Sequence, residues 1–243
     1  MEAKTMPTRE HRIWDDYLSE ADREHVSATQ RQAWGFGAKP ALLMVDLYRW
    51  VFGTEAQPLM QAVAQWPASC GLAGWEALPK IQQLLGAARD TGIPVIHVTG
   101  LPERDSGIRS WASTDTNTNA SRRSLLDDIE PTGMYDIIPE LAPVEGEVFL
   151  RKNASSVFWG TPITAHLTML GVDTLIVAGE STSGCVRASV VDGCTNGYRM
   201  IVAEECVFDR HQATHAINLF DMHQKYADVL ALAEILKWLS HRE

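Results

Sequence analysis

The chain has 243 residues, 45% of them hydrophobic, a net charge of −10 and four cysteines. That is enough apolar material for one α/β domain with a full core, and the acidic balance argues against nucleic acid or an anionic membrane surface as a general partner. No apolar run is long enough to cross a bilayer, and the start MEAKTMPTREHR lacks the apolar stretch of a secretory signal. Cys70, Cys185, Cys194 and Cys206 form neither a CxxC pair nor a zinc-type Cys/His spacing, so a soluble, cytoplasmic protein with free thiols is expected.

Residues 1–38 are polar, with a short helix expected around 13–21 that places Trp14, Tyr17 and Leu18 on one side. One aromatic stripe cannot make a core, so this segment reads as an N-terminal arm packing on the domain or on a neighbouring subunit, and residues 39–243 as the domain. Pro40 introduces ALLMVD, a buried strand ending in Asp46. Pro58, Pro67, Gly71 and Gly74 interrupt 54–78, which reads as a loop with short helical turns anchored by Trp66 and Trp75. A helix over 76–91 follows, apolar at Leu78, Ile81, Leu84, Leu85 and Ala88 and closed by Gly92 before the strand PVIHVTG. His97 inside that strand reads as a satisfied histidine of the core or its rim. Residues 101–134, with Arg104, Arg109, Arg122 and Arg123, read as a long loop forming a pocket wall or a subunit contact.

A short strand over 147–150 runs into Arg151-Lys152-Asn153, and a helix over 161–170 has Pro162 in its first turn and Gly171 at its stop. The run 174–178 reads as a strand buried on both faces. After it, Ser181 and Ser183 are good N-caps for a helix with Val186, Val190, Val191 and Cys194 at helical spacing until Asn196-Gly197. RMIVAE makes a fifth strand ending near Cys206, followed by a helix over 211–226, a last strand over 228–232 and a closing helix over 233–240. Six strands alternating with helices specify a three-layer αβα sandwich around a parallel, doubly wound, Rossmann-like sheet.

In such a fold the ligand site lies beyond the carboxyl ends of the strands. Asp46, Lys152 and Cys185 all fall just past strand ends, on one edge of the sheet. A helix N-terminus favours negative charge, so it is expected to lower the Cys185 thiol pKa and to help hold an oxyanion. Position alone also admits a bland reading, with Cys185 a small buried apolar residue and Asp46 and Lys152 a structural ion pair. Together the three suggest nucleophilic acyl chemistry. Asp46 would take the thiol proton and later deliver it to a leaving amine, and Lys152 would stabilise the negative charge of the cluster. Ser181, Thr182 and Ser183 are alternative nucleophiles that lack, in the sequence, a histidine placed to activate them.

ALLMVD, RKNASSVFWGTP and GESTSGCVRASVVD resemble, in order and spacing, three signatures of the isochorismatase-like cysteine hydrolases, over nearly all of the chain from about residue 13. The likeness is greatest to the branch of N-carbamoylsarcosine and maleamate amidases. It implies a metal-independent Asp46-Lys152-Cys185 triad that hydrolyses a small amide or carbamoyl group through a covalent thioester-type intermediate, releasing ammonia without a cofactor. It also implies a homotetramer or dimer, and a cis peptide bond between Glu180 and Ser181 that turns the Ser181 amide, with the Cys185 amide, toward the developing oxyanion. Arg210 stands where that branch has an arginine gripping a substrate carboxylate, its alternative being an ion pair with Asp209 or Glu205; Thr182 and Trp159 are further substrate-binding candidates. Arg187 reads as structural. Glu180 is a departure, a bulky acid where those relatives carry a small residue. Three rivals remain: a nicotinamidase, which needs a zinc site with two histidines that do not follow Asp46 here; vinyl ether hydrolysis of the isochorismatase type, which dispenses with the cysteine; and a binding-only member of the fold.

Overall fold

A computed structural model describes residues 11–29, 31–100 and 133–242. The β-branched and aliphatic runs do form fully buried strands: β1 (Pro40–Val45), β2 (Val95–Gly100) and β4 (Thr174–Glu180) have no exposed position. With β3 (Val148–Lys152), β5 (Arg199–Phe208) and β6 (Asp228–Leu230) they make one parallel sheet in the order β3-β2-β1-β4-β5-β6. The order reverses between β1 and β4, which opens a crevice outside their carboxyl ends.

Helices cover both faces. α1 (Glu20–Thr29), α2 (Arg49–Phe52), α3 (Leu59–Gln65) and α4 (Leu72–Asp90) precede α5 (Ile163–Leu170), α6 (Arg187–Thr195), α7 (Gln212–Lys225) and α8 (Leu232–Ser240). Strand side chains alternate between faces, and the core divides accordingly. Leu42, Met44 and Ile176 pack with Ile81, Leu84 and Ile235 beneath α4 and α8. Leu43, Val45 and Val177 pack with Ile163, Val190 and Leu219 beneath α5, α6 and α7. The fold is the expected three-layer α/β sandwich.

Several boundaries differ from the sequence reading. The helix expected over 13–21 is a 3-10 turn at Asp15–Tyr17, ended by extended Leu18, with α1 starting after it. The reason is local: the Asp22 amide donates to Ser19 Oγ while the Ser19 amide donates to Asp22 Oδ2, a reciprocal cap that starts a new helix. α4 begins at Leu72, before the expected Glu76, and runs through Pro79. Tertiary packing overrides the local breakers, with Trp75 Nε1 donating to the Phe52 carbonyl at 2.9 Å and Gly74 lying close against Phe52 and Phe208. The expected loop over 101–134 falls almost wholly outside the described residues.

The described part of the N-terminal segment lies against the β6 edge. Trp14 is buried, Arg12 Nη2 donates to the Val229 carbonyl at 2.7 Å, and Arg31 pairs with buried Asp228 at 2.7 Å. Among the described residues no helix is long and apolar enough to cross a membrane.

Candidate active site

Asp46 follows β1 directly and takes φ 55, the one positive φ of a non-glycine residue among the described positions. Aspartate tolerates this left-handed region better than most residues. Its amide donates to the Val98 carbonyl at 2.8 Å, so the turn is pinned to the neighbouring strand. Across the crevice Gly179 has φ 129, and a Cβ there would lie 1.9 Å from the Val45 carbonyl oxygen. Only glycine lets β4 approach β1 this closely at the last pair of the two strands. The Glu180–Ser181 peptide that follows is cis, as the resemblance implies.

The turn after it is not the α-helical start read from the capping serines. Thr182–Val186 is a π-helical turn, and α6 begins only at Arg187. Ser181 occupies the cap position without a side-chain capping bond, and its carbonyl accepts from both the Gly184 and the Val186 amides, at 2.9 and 3.1 Å. Cys185 lies in this wider turn. Its carbonyl accepts from Ser189 Oγ at 2.6 Å, and that hydroxyl oxygen accepts from the Val157 amide at 3.1 Å. The segment after β3 is thereby fastened to the segment after β4.

Lys152, the last residue of β3, reaches the crevice almost wholly buried. Its Nζ is 2.6 Å from Asp46 Oδ2, donates to Cys185 Sγ at 3.2 Å and donates to the Ala154 carbonyl at 3.1 Å. Burial opposes the ammonium charge, but the Asp46 carboxylate and the Cys185 sulfur outweigh it and hold the Lys152 pKa above its ordinary value. For Cys185 the balance is the reverse of the sequence expectation. Burial, then the Asp46 carboxylate, push the thiol up, and Lys152 only partly offsets them. A resting cluster of carboxylate, ammonium and neutral thiol has no net charge, which a site this enclosed favours over one with an added thiolate. The Asp46 carboxylate also accepts a side-chain hydrogen bond from Cys185, which places an acceptor beside the thiol.

The other expected site residues are distributed around this cluster. Arg210 donates from Nε to the Ser69 carbonyl at 3.0 Å and from Nη2 to the Ala68 carbonyl at 2.6 Å, rather than pairing with Asp209 or Glu205. Thr182 is fully buried, and its Oγ1 is 2.8 Å from His215 Nδ1. A histidine therefore does stand beside this serine and threonine run, 33 residues away in sequence, contrary to the sequence reading. Trp159 is 49% exposed on the turn before α5. Arg187 pairs with Asp221 at 2.7 Å, and His97 with Glu147 at 2.9 Å.

Four polar groups by the crevice were not singled out in the sequence. Asp209 Oδ2 accepts from the Ser183 amide at 2.8 Å and from its hydroxyl at 2.6 Å, bracing the turn of Cys185. His215 supports the same turn through Thr182. Cys70 donates to Glu180 Oε1 at 3.5 Å. The phenol of half-buried Tyr48 is pushed up by desolvation and by the charges of Asp46 and Glu180. The one sequence cue for any of them was adjacency to a strand end, which Asp209 and Tyr48 share with many ordinary loop residues.

A doubly wound sheet with a thiol, an ammonium and a carboxylate gathered at its switch point defines an α/β protein built to act on a small molecule there. The chain belongs to the isochorismatase family, whose Isochorismatase domain matches residues 40–234. It is 35% identical over 227 residues to a maleamate amidohydrolase of Pseudomonas putida, covering 92% of this chain and 97% of that protein. It is 34% identical over 210 residues to an N-carbamoylsarcosine amidase of an Arthrobacter species, covering 84% of this chain and 73% of the relative. Among solved structures, a cysteine hydrolase of Pseudomonas syringae superposes with a TM-score of 0.70 at 20% identity, over 86% of this chain and 97% of that one, a likeness of fold.

Proposed function

We propose that this protein is an amidohydrolase that cleaves the C–N bond of a small linear amide, ureido acid or carbamoyl compound, with Cys185 as nucleophile. Support for the reaction class comes from the family and from relatives named for maleamate and N-carbamoylsarcosine. The observation that carries the residue roles is the contact of one lysine ammonium with both a carboxylate and a thiol, 2.6 Å from Asp46 and 3.2 Å from Cys185.

In this reading the Cys185 sulfur adds to the amide carbonyl as Asp46 takes the thiol proton. The oxyanion is met by the backbone amides of Ser181 and Cys185. Collapse breaks the C–N bond, Asp46 returns its proton to the departing nitrogen, and ammonia leaves a thioester on Cys185. Water, deprotonated by Asp46, then hydrolyses the thioester, releasing the acid and restoring the thiol. Lys152, in contact with both groups, stabilises the negative charge of the cluster. The three N–H bonds of Arg210 not engaged with Ser69 and Ala68 are available to a substrate carboxylate, with Trp159 and Thr182 as further substrate-binding residues. The reaction needs no metal ion, and the working form is a cytoplasmic homo-oligomer, dimer or tetramer.

The test is ammonia release from maleamate, N-carbamoylsarcosine, biuret and nicotinamide by wild type and Cys185→Ala, with and without a chelator. Turnover of at least one compound that survives chelation and disappears in the variant is expected. Turnover that persists without Cys185, or that stops on chelation, contradicts the mechanism.

A further inference from the structure

Glu180 closes β4 opposite the end of β1, and its side chain is 8% exposed. Among the described residues it makes no ion pair, and its hydrogen-bond partner is the Cys70 thiol. The charged and titratable groups around it come from five places: Asp46 and Tyr48 after β1, Cys70 before α4, Asp209 and Arg210 after β5, Cys185 in the π-helical turn, and Lys152 behind Asp46. Glu180 and Arg210 share one platform. Arg210 holds the carbonyls of Ala68 and Ser69 while Glu180 meets the side chain of Cys70, the next residue. Asp209 does not neutralise the guanidinium by contact. One of its oxygens accepts from Ser183 and the other from the Arg210 backbone amide. Glu180 and Arg210 act on one another electrostatically without an ion pair, so the charge state of Glu180 bears on the guanidinium.

We propose that Glu180 is a specificity-determining residue: as a neutral acid it leaves Arg210 a net cation for the carboxylate of an amide substrate, and on ionising it cancels that cation and turns such substrates away. The proposal rests on the amidohydrolase reading, in which Arg210 receives the substrate carboxylate.

Burial and the neighbouring Asp46 charge push the Glu180 carboxyl up to about 8. Cys70, Cys185 and Tyr48 are pushed above their ordinary values and Lys152 above its own. These four are pushed away from neutrality, whereas Glu180 is pushed toward it.

The experiment is calorimetric titration of maleamate into a Cys185→Ala protein, which binds without turning over, between about pH 6.5 and 9. Since the competent fraction falls as Glu180 ionises near about 8, affinity is expected to weaken about tenfold by one pH unit above that midpoint. Adding Glu180→Gln should flatten the profile. Cys70→Ala removes a hydrogen bond that favours the ionised carboxylate, so it should move the loss of binding to higher pH; this second variant decides the matter if Glu180→Gln does not fold. The neutral diamide of maleic acid should bind without a pH dependence in this range. A flat maleamate profile in the Cys185→Ala protein, an unchanged profile after Glu180→Gln, or no maleamate binding at either pH overturns the proposal. Cys185-dependent ammonia release with a flat binding profile overturns the role of Glu180 alone. A pH-dependent binding profile with Cys185-independent turnover leaves Glu180 in place and overturns the catalytic reading.

Discussion

Asp46, Lys152 and Cys185 lie at or just past three separate strand ends, and each is held by a different device: a left-handed turn, the last position of an edge strand and a π-helical turn. The placement of all three was legible in the sequence, because a polar residue at the end of an apolar strand has few places to go. The sign of the thiol shift was not. The helix-terminus argument anticipates a lowered pKa, whereas burial and the Asp46 carboxylate outweigh it and leave Lys152 as the principal group favouring thiolate. Lys152→Met should therefore push the thiol higher still, and alkylation of Cys185 by iodoacetamide near neutral pH should slow by about tenfold or more, since the thiolate is the reacting form. Faster labelling in the variant would show that the ammonium shields the sulfur rather than supporting its ionisation. Glu180 stood out in the sequence as a departure without a legible role, and His215 did not stand out at all. Their roles depend on Cys70 and Thr182, which are 110 and 33 residues away from them.

The six strands and their parallel, doubly wound arrangement followed from hydrophobic runs and connection rules, whereas the strand order was not read and the starts of the first helices were misplaced. α4 gained its first turn from contacts to Phe52 and Phe208, elements whose approach no local pattern reveals. Elements are also joined by ion pairs away from the site. Glu147, before β3, accepts from Arg89 of α4 at 2.8 Å and pairs with His97 of β2 at 2.9 Å. Burial opposes ionisation of Glu147, but Arg89, the Val144 amide and His97 together hold its carboxyl down to about 2. A depressed acid contributes stability above its ordinary pKa and loses it as pH falls toward the folded value. Glu147→Gln should accordingly lower Tm at neutral pH, and its deficit relative to wild type should shrink as pH falls from about 5 to 2. A deficit that is constant over this range would mean that the residue acts through packing alone.

At the scale of the molecule, the sheet is finished on its β6 side by chain that precedes the sheet in sequence. Asp228 is 1% exposed at this edge; Arg31 Nη1 stands 2.7 Å from its Oδ1, and the Gly35 amide donates to Oδ2 at 2.7 Å. We propose that the segment 1–38 acts as an arm whose docking neutralises this buried carboxylate. Removing one partner of a buried pair strands the other charge, so Arg31→Met should destabilise the fold by roughly 3 kcal/mol, and Arg31→Met combined with Asp228→Asn by much less. Equal losses in the single and double variants would show that the pair is not coupled. The arm was legible as a polar segment with an aromatic stripe, but its seat was not, since β6 is only three residues long and offers no pattern to which residues 11–38 could be matched.

The most direct measurement is intact-mass and peptide mapping of the enzyme quenched during turnover of maleamate, in wild type and in Asp46→Asn. An acyl adduct confined to the peptide carrying Cys185, formed at the rate of ammonia release and diminished in Asp46→Asn, is the expected result. Ammonia release with no adduct at any time, or with the adduct on another residue, would contradict the assignment of Cys185 as the nucleophile.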